Sequence, residues 1–437
     1  MAASGGLRRK LRIAFPDHCA LWLYGDCDNP FSGNTSALRR HAMRLMLQYN
    51  RDLKPWSLPE KIARVAGTFA WPLNALLRCA FLTFAIRKNL PKPARDRPLQ
   101  VFLHCWYCAM RYNITPSAYY KFRLFLDPNC ARIRFYLQDH EMAYLVRLTW
   151  ESLNLQLSHT LNDKLEFYKF CQKYDLSTAP VLAHCSDSNT VVMLAPTAEL
   201  KRDLMLKFTN SAASEGVELI AWDGTTNEWR HQNASITESQ LMDLLRTKSL
   251  GRSAILQPRL FNHSVIRPIT REGLSTTRIL TAAHPRSSDT PCVASAAVRI
   301  STGAVAVDNM VAGGIGSAVN IEKGTLGLGV GKSVTKGWYN NHPESGVVFE
   351  GLQLPFWREA CELCVRAHGL ARDIPVIGWD VGILENGPVL IEANLGWDSD
   401  IVQLSGTTAL GETAAAAALR HFLLPTDRQW QKTTTAS

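Results

Sequence analysis

VIGWDVGILENGPVLIEANLGWD (residues 376–398) reads as two strands joined by a turn at Glu385-Asn386-Gly387-Pro388. The first strand carries VIGWDVGIL and the second PVLIEANL. Side chains alternate along a strand, so Glu392 and Asn394 share one face, and Asp380 sits on the neighbouring strand. Two carboxylates and an amide oxygen converging there make an all-oxygen site suited to a hard cation. Magnesium takes this pattern when it shares its coordination with nucleotide phosphates. The competing reading is a surface hairpin with a few polar residues. Acids flanked by Val, Ile and Leu are costly to bury without a partner or a metal, which favours the cation site.

Upstream, LNDKLEFYKFCQKYDLSTAPVLAH (161–184) has a helical apolar pattern that ends near Tyr174 and Asp175 and passes into a strand after Pro180. DLMLKFTNSAASEGVELIAWDG (203–224) reads as strand, loop, strand. Lys207 lies at the end of the first strand, where an ammonium supplies a point charge for phosphate. The residues from Asn210 to Gly216 are mostly small, which lets backbone N–H groups approach phosphate oxygens. SAILQPRLFNHSVI (253–266) is an apolar strand ending at Gln257, followed by a proline-containing turn. Arg278 and Arg299 lie on apolar strands, where an unpaired guanidinium is expensive. A substrate carboxylate or phosphate would satisfy each through bidentate hydrogen bonds. An internal salt bridge with Asp308 or Glu392 would do so equally.

In order and spacing these pieces resemble the ATP-grasp superfamily over roughly residues 116–420, and most of all its sugar-transfer-associated branch. The resemblance implies an α+β fold in which two α+β subdomains sandwich ATP. It implies that Lys164, opening a helix after Asp163, and Lys207 reach the nucleotide phosphates. Ser211, Ser214 and Gly216 stand in the place of the family's glycine-rich loop, although Phe208 replaces the proline that often follows the lysine. Gln257 and the backbone from Pro258 to Leu260 match the hinge that holds adenine. Arg278 and the stretch Asn309-Met310-Val311-Ala312-Gly313-Gly314 resemble the substrate side of glutamate-adding ligases, with Arg278, Arg299 and Asn309 as the catalytic candidates. The cofactors implied are ATP and Mg2+. The expected reaction joins a small-molecule carboxylate donor to an amine acceptor through an acyl phosphate, releasing ADP and phosphate. The alternatives are a kinase of the same fold acting on a hydroxyl and a non-catalytic ATP-binding module associated with glycan modification.

A chain of 437 residues is long enough for two or three domains. The expected division is a mainly helical region over 1–115, an opening segment with the first subdomain over 116–255, a C-terminal subdomain with the metal site over 256–425, and a frayed tail over 426–437. The net charge of +10 favours anionic partners. No nucleic-acid-binding signature accompanies it, and the basic residues are scattered, so nucleic acid is not expected. RVAGTFAWPLNALLRCAFLTFAIRK (64–88) is apolar but interrupted by Pro72, Asn74 and Arg78, which suits amphipathic helices better than a span. Its stripe is either core or a peripheral membrane contact flanked by Arg87, Lys88 and Arg95. LRRKLR (7–12) is not followed by a continuous apolar run, so no secretory signal is expected. Eleven dispersed cysteines then suggest reduced thiols in a cytoplasmic protein, at most peripheral at the inner face of a membrane. The pairs Cys105/Cys108 and Cys361/Cys364 would make a four-thiolate zinc site only if the fold brought them together.

Overall fold

The computed structural model describes residues 58–423, apart from 127–128, 139–140, 143–144, 147–148, 150–154, 187–189, 212–214, 271–272, 285–289, 301–313, 332–337, 398 and 404–407. The chain begins with helices α1 (Leu58–Ile86), α2 (Pro98–Tyr112) and α3 (Pro116–Lys121). Pro72 lies inside α1, where it removes a backbone donor. Its own carbonyl accepts from Trp106 Nε1 at 3.3 Å, so α2 meets α1 at that turn. After α1, Lys92–Arg95 form a helical turn, and Pro98 opens α2. Proline suits a first helical turn because its missing N–H would be unpaired there anyway. Cys79, Ile86, Cys105, Cys108, Tyr119, Tyr120 and Phe122 make the core of this module. It docks through Arg123, whose guanidinium lies 4.4 Å from the ring centre of Trp338.

Helices α4 (Leu155–Asn162) and α5 (Lys164–Lys173) lead into an antiparallel sheet of seven strands. These are β1 (Ala183–Cys185), β2 (Val191–Met193), β3 (Leu204–Phe208), β4 (Glu218–Asp223), β5 (Glu228–His231), β6 (Ala234–Ile236) and β7 (Ala254–Pro258), in the order β2-β1-β7-β3-β4-β5-β6. Leu204, Leu206, Ala254 and Leu256 pack against Leu241 and Leu245 of α6 (Glu238–Lys248). The alternate residue Ile255 turns the other way, onto Leu165 and Tyr168 of α5. Residue 255, where the sequence suggested a division, falls inside β7, so the first sheet extends to Pro258.

The second sheet also has seven antiparallel strands: β8 (Thr276–Ala282), β9 (Cys292–Ile300), β10 (Ile315–Val319), β11 (Leu326–Gly331), β12 (Trp338–Tyr339), β13 (Val376–Leu384) and β14 (Gly387–Asn394), in the order β12-β11-β10-β9-β8-β13-β14. Helix α7 (Trp357–Gly369) covers one face, packing Ala360, Leu363, Cys364 and Ala367 against Ile377, Trp379, Val381 and Ile383. Phe167 and Cys171 of α5 join that core. On the other face, α8 (Ser399–Gln403) and α9 (Ala414–Leu423) cover Leu280, Ala282 and Val376. A strand covered on both sides has no reason to alternate, hence the near-continuous apolar run of β13. Pro388 is tolerated because β14 is an edge strand, where a missing N–H costs no ladder bond. Residues 177–179 close that edge: Leu390 N donates to Ser177 O at 2.9 Å and Ala179 N to Leu390 O at 3.1 Å.

A buried polar relay ties α7 to the sheet. Trp379 Nε1 donates to Thr281 Oγ1 at 2.7 Å, Thr281 Oγ1 lies 2.6 Å from His368 Nδ1, and His368 Nε2 lies 2.9 Å from Ile374 O. Trp379 can only donate and Ile374 O can only accept, so the Thr281 hydroxyl donates to a neutral imidazole. Protonating Nδ1 would turn it into a donor and leave the Thr281 hydroxyl hydrogen without that acceptor. Burial accordingly lowers the His368 pKa to about 4, below the ordinary 6.5. The folded state resists a proton that the unfolded chain accepts, so this contribution is complete above pH 6.5 and is lost as pH falls towards 4. Urea titrations are expected to show stability falling by up to about 1.4 kcal/mol per pH unit across that window from this group. His368→Gln should lose that share of the slope; an unchanged slope would mean that His368 is not the titrating group.

Candidate functional site

Asp163 caps α5, its Oδ1 accepting from Leu165 N at 3.0 Å and Glu166 N at 3.1 Å. That places Lys164 at the first helical position, with its amide bonded to Thr209 O at 2.8 Å. The Lys164 ammonium donates to Ser211 O at 2.7 Å and lies 3.9 Å from Glu392 Oε2. One lysine thus touches both the small-residue loop of the first sheet and the acidic strand of the second. Lys207 donates to Gln257 Oε1 at 3.3 Å. Both lie on the side of their sheet that faces α5, because the register pairs Lys207 with Ile255. Gln257 Nε2 in turn reaches Ala179 O at 3.4 Å.

The loop after Lys207 is built around Phe208. Gly216 has φ +66, and a Cβ there would lie 2.5 Å from the Phe208 ring, so only glycine fits. Lys248 and Arg252 stand over the same ring, at 4.7 and 4.2 Å. Phe208 therefore anchors the base of the loop where the family's proline is missing. Ser211 Oγ lies 3.3 Å from Phe208 O. Ser214 lies outside the described residues, as do Asn309, Asp308 and Gly313.

After β7 the chain crosses to the second sheet through Leu260. Arg259 N donates to Asp203 O at 2.8 Å on the near side. On the far side Asn262 is buried and exchanges two 2.8 Å bonds with Ser275. His263 N donates to Ile383 O at 2.8 Å and pins the crossing, while its Nδ1 accepts from Val265 N at 3.1 Å. Asn262 gave no signal in the sequence, since a lone loop asparagine has many uses. His342 is likewise internal: its Nδ1 accepts from Glu344 N at 3.3 Å and Ser345 N at 3.2 Å, closing a turn.

The register pairs Asp380 with Arg278 on one side and with Glu392 on the other, and pairs Asn394 with Gly378. All four candidate side chains, of Arg278, Asp380, Glu392 and Asn394, then emerge on the face of the sheet away from α7. Gly378 makes room for them, because a Cβ there would lie 2.7 Å from Trp397 and 3.1 Å from Arg278 Cδ. Asp380 is fully buried. Arg278 grips it through Nε at 2.5 Å and Nη2 at 3.2 Å, and Arg299 adds Nη2 at 2.5 Å. Among the described residues both arginines close on Asp380; Asp308, the other partner the sequence offered beside Glu392, lies outside them. The register decides this, since β8 and β13 are hydrogen-bonded neighbours. Thr276, which drew no attention in the sequence, completes the set by accepting from Arg299 Nε at 3.1 Å.

Burial alone would push the Asp380 carboxyl up, but the Arg278 and Arg299 guanidiniums outweigh it and hold it well below the usual carboxylate range. Glu392 moves the other way: desolvation and the neighbouring Asp380 charge raise it, against the pull of Lys164. The Glu392 carboxyl hydrogen-bonds Asp380 and accepts from Asn394 Nδ2 at 3.1 Å. Two carboxyl groups held this close are what a divalent cation relieves, so the donor chemistry fits magnesium. Among the described residues no group of three or more His, Cys, Asp or Glu side chains is placed to hold a metal, so a cation here depends on the Asn394 amide as third donor. The two Cys-x-x-Cys pairs lie in separate cores, one under α2 and one under α7, and form no zinc site.

Two antiparallel sheets, a helix-borne lysine between them and an acidic hairpin beneath define an ATP-grasp protein. The chain belongs to the sugar-transfer associated ATP-grasp family, whose model matches residues 147–417. No curated protein matches it by sequence. Among solved structures it is similar to N5-carboxyaminoimidazole synthase from Aspergillus clavatus, in complex with ADP and 5-aminoimidazole ribonucleotide, at 12% identity and TM-score 0.32, over 67% of this chain and 60% of that one. It is similar also to D-alanine–D-alanine ligase from Bacillus anthracis, complexed with ATP, at 11% identity and TM-score 0.32, over 63% and 68%. The L-amino acid ligase from Bacillus licheniformis gives 12% and 0.32, over 66% and 57%. At these values the likeness carries no inference about chemistry, and the family match alone establishes the fold.

The charge cluster makes a differential prediction. Asp380→Asn leaves the buried Arg278 and the half-buried Arg299 guanidiniums without their counter-charge, and is expected to cost about 3–5 kcal/mol of stability in urea unfolding. Glu392→Gln removes a carboxyl that is one-third exposed and is expected to cost about 1 kcal/mol or less. Equal costs would contradict the pairing described.

Proposed function

We propose that the protein is an ATP-dependent ligase joining a small-molecule carboxylate to an amine, with release of ADP and phosphate. The observation that carries this reading is Lys164, in reach of the Ser211 carbonyl and of Glu392 at once. A triphosphate lying along that line would meet Lys164, Lys207 and the loop amides before Gly216. Lys164, Lys207, Arg278 and Arg299 outnumber Asp380 and Glu392 by two charges, which suits a polyanion. Gln257 and the Leu260 backbone would receive the adenine at the crossing between sheets. Asp380, Glu392 and Asn394 would hold magnesium, which would neutralise charge developing on the phosphates.

The two arginines have different parts. Arg278 is almost wholly enclosed and committed to Asp380 by two bonds. Arg299 keeps 18% of its side chain exposed and is the one open to a substrate carboxylate. A carboxylate oxygen oriented there attacks the γ-phosphorus. The bond from that phosphorus to the bridging oxygen breaks, and ADP leaves. The amine nitrogen then attacks the acyl carbon, phosphate departs with the bonding pair, and the nitrogen gives its proton to water. Positioning and electrostatics suffice, with no covalent nucleophile on the protein.

The test is ATP turnover with magnesium and a panel of amino acids and sugar acids, with hydroxylamine as the general nucleophile. A hydroxamate formed together with ADP and phosphate is the expected result, and it names the donor acid. Lys164→Met is expected to reduce that turnover by at least about a hundredfold. ADP accompanied by a phosphorylated product and no hydroxamate would replace the ligase reading with a kinase. Asp380→Ala and Glu392→Ala enzymes that turn over like the parent would move the magnesium site elsewhere.

A further inference from the structure

The helical module carries a surface that the ATP site does not use. Helix α1 buries Trp71, Ala75, Cys79, Thr83 and Ile86. Two residues out of phase with them, on the opposite face, Phe69, Leu73, Leu77, Phe81 and Phe84 are all more than 60% exposed. Leu58 and Ile62 are exposed in the same way at its beginning. At 1.5 Å per residue, the stretch from Leu58 to Phe84 runs for about 40 Å. Helix α2 repeats the arrangement, with Val101, Cys105 and Cys108 buried and Leu99, Leu103 and Tyr107 exposed. Both helices rest on α3 and share one core, with Cys79 Sγ 3.2 Å from Cys105 Sγ. Their outward faces therefore make one apolar surface, larger than the scattered exposed side chains of an ordinary soluble protein.

Charge says what covers it. Between residues 58 and 112 there are nine Lys and Arg against Glu60 and Asp96 alone. Five of the nine, Arg87, Lys88, Lys92, Arg95 and Arg97, are exposed on the turn that joins α1 to α2. An apolar face bordered by cations, with almost no acid, complements the acyl boundary and headgroups of an anionic bilayer. A second copy of this module would offer only Glu60 and Asp96 to meet the cationic turn. The segment Phe69–Asn89 is long and apolar enough to cross a membrane. Its inner face, however, is already part of the packed core of the module, through Cys79 and Ile86. Crossing would require stripping Trp71, Cys79 and Ile86 from their partners.

We propose that α1 and α2 seat the protein in the plane of an anionic lipid surface, apolar face down, with the Arg87–Arg97 turn on the headgroups. Binding rests on none of the residues assigned to ATP, so it stands or falls apart from the ligase reading.

The experiment is sedimentation of the full chain with phosphatidylglycerol–phosphatidylcholine vesicles and with pure phosphatidylcholine vesicles, at low and high salt. The parent is expected to bind the anionic vesicles and to weaken with salt. The triple variant Leu73→Gln, Leu77→Gln, Phe81→Gln is expected to bind them at least about tenfold less, since its apolar contact is lost. The variant Arg87→Gln, Lys88→Gln, Lys92→Gln alters only exposed side chains and should lose the preference for anionic lipid. Circular dichroism melts confirm that each variant is folded. No binding by the parent, or equal binding by a folded triple variant, overturns the proposal. So does a vesicle-free dimer in sedimentation equilibrium that the triple variant abolishes, which would make the face a protein interface. Resistance to alkaline carbonate extraction overturns it in favour of a spanning helix.

Discussion

The ion cluster around Asp380 is the constraint to which the second half of the molecule answers. A buried carboxylate survives only with its charge met, and two guanidiniums from adjacent strands meet it. Arg278 comes from β8 and Arg299 from β9, so the cluster holds three strands in one register. A slip of one residue would send these side chains into the apolar core under α7. The requirement for Gly378 follows from the same crowding, because Arg278 passes where a side chain would stand. The residues that lock the sheet are also the ones that the proposed ligase function assigns to a metal and a carboxylate.

The first sheet contributes by standing opposite. Its outer face is occupied by α6, which leaves the inner face, with Lys207 and Gln257, turned towards α5 and the second sheet. Two threads join the halves. One is the strap at 177–179, which closes the open edge of β14 as an extra strand would. The other is the crossing at 258–263, fastened at each end by Asp203, Ser275 and Ile383. Between them Lys164 reaches from one half to the other, and its cap at Asp163 fixes where that reach begins.

The helical module has a different logic. Its core is rich in cysteine and tyrosine, and it meets the rest of the protein through Arg123, Phe125 and Trp338. Among the described residues nothing in that packing needs the outer face of α1, which is why an apolar stripe there calls for an explanation beyond folding. Sequence reading left the stripe open between core and membrane contact, and the structure divides it: one side of the helix is core and the other is exposed.

The sequence by itself determined the pieces that depend on local pattern. The β13–β14 hairpin, the Asp163–Lys164 helix start, the Lys207 strand and the order in which they occur are written in short-range periodicity, caps and turns. Those signals also sufficed for the family. Tertiary structure alone decided what meets what. That Arg278 and Arg299 both close on Asp380 depends on strand order, β9-β8-β13-β14, which no window of sequence contains. Asn262, Thr276 and His368 were silent because a polar residue on an apolar background gains meaning only from its partner. The end of the first sheet at Pro258 was missed for the same reason, since a strand belongs to the sheet that pairs with it. Local chemistry is carried by neighbours along the chain, whereas the satisfaction of buried charge is settled by neighbours in space.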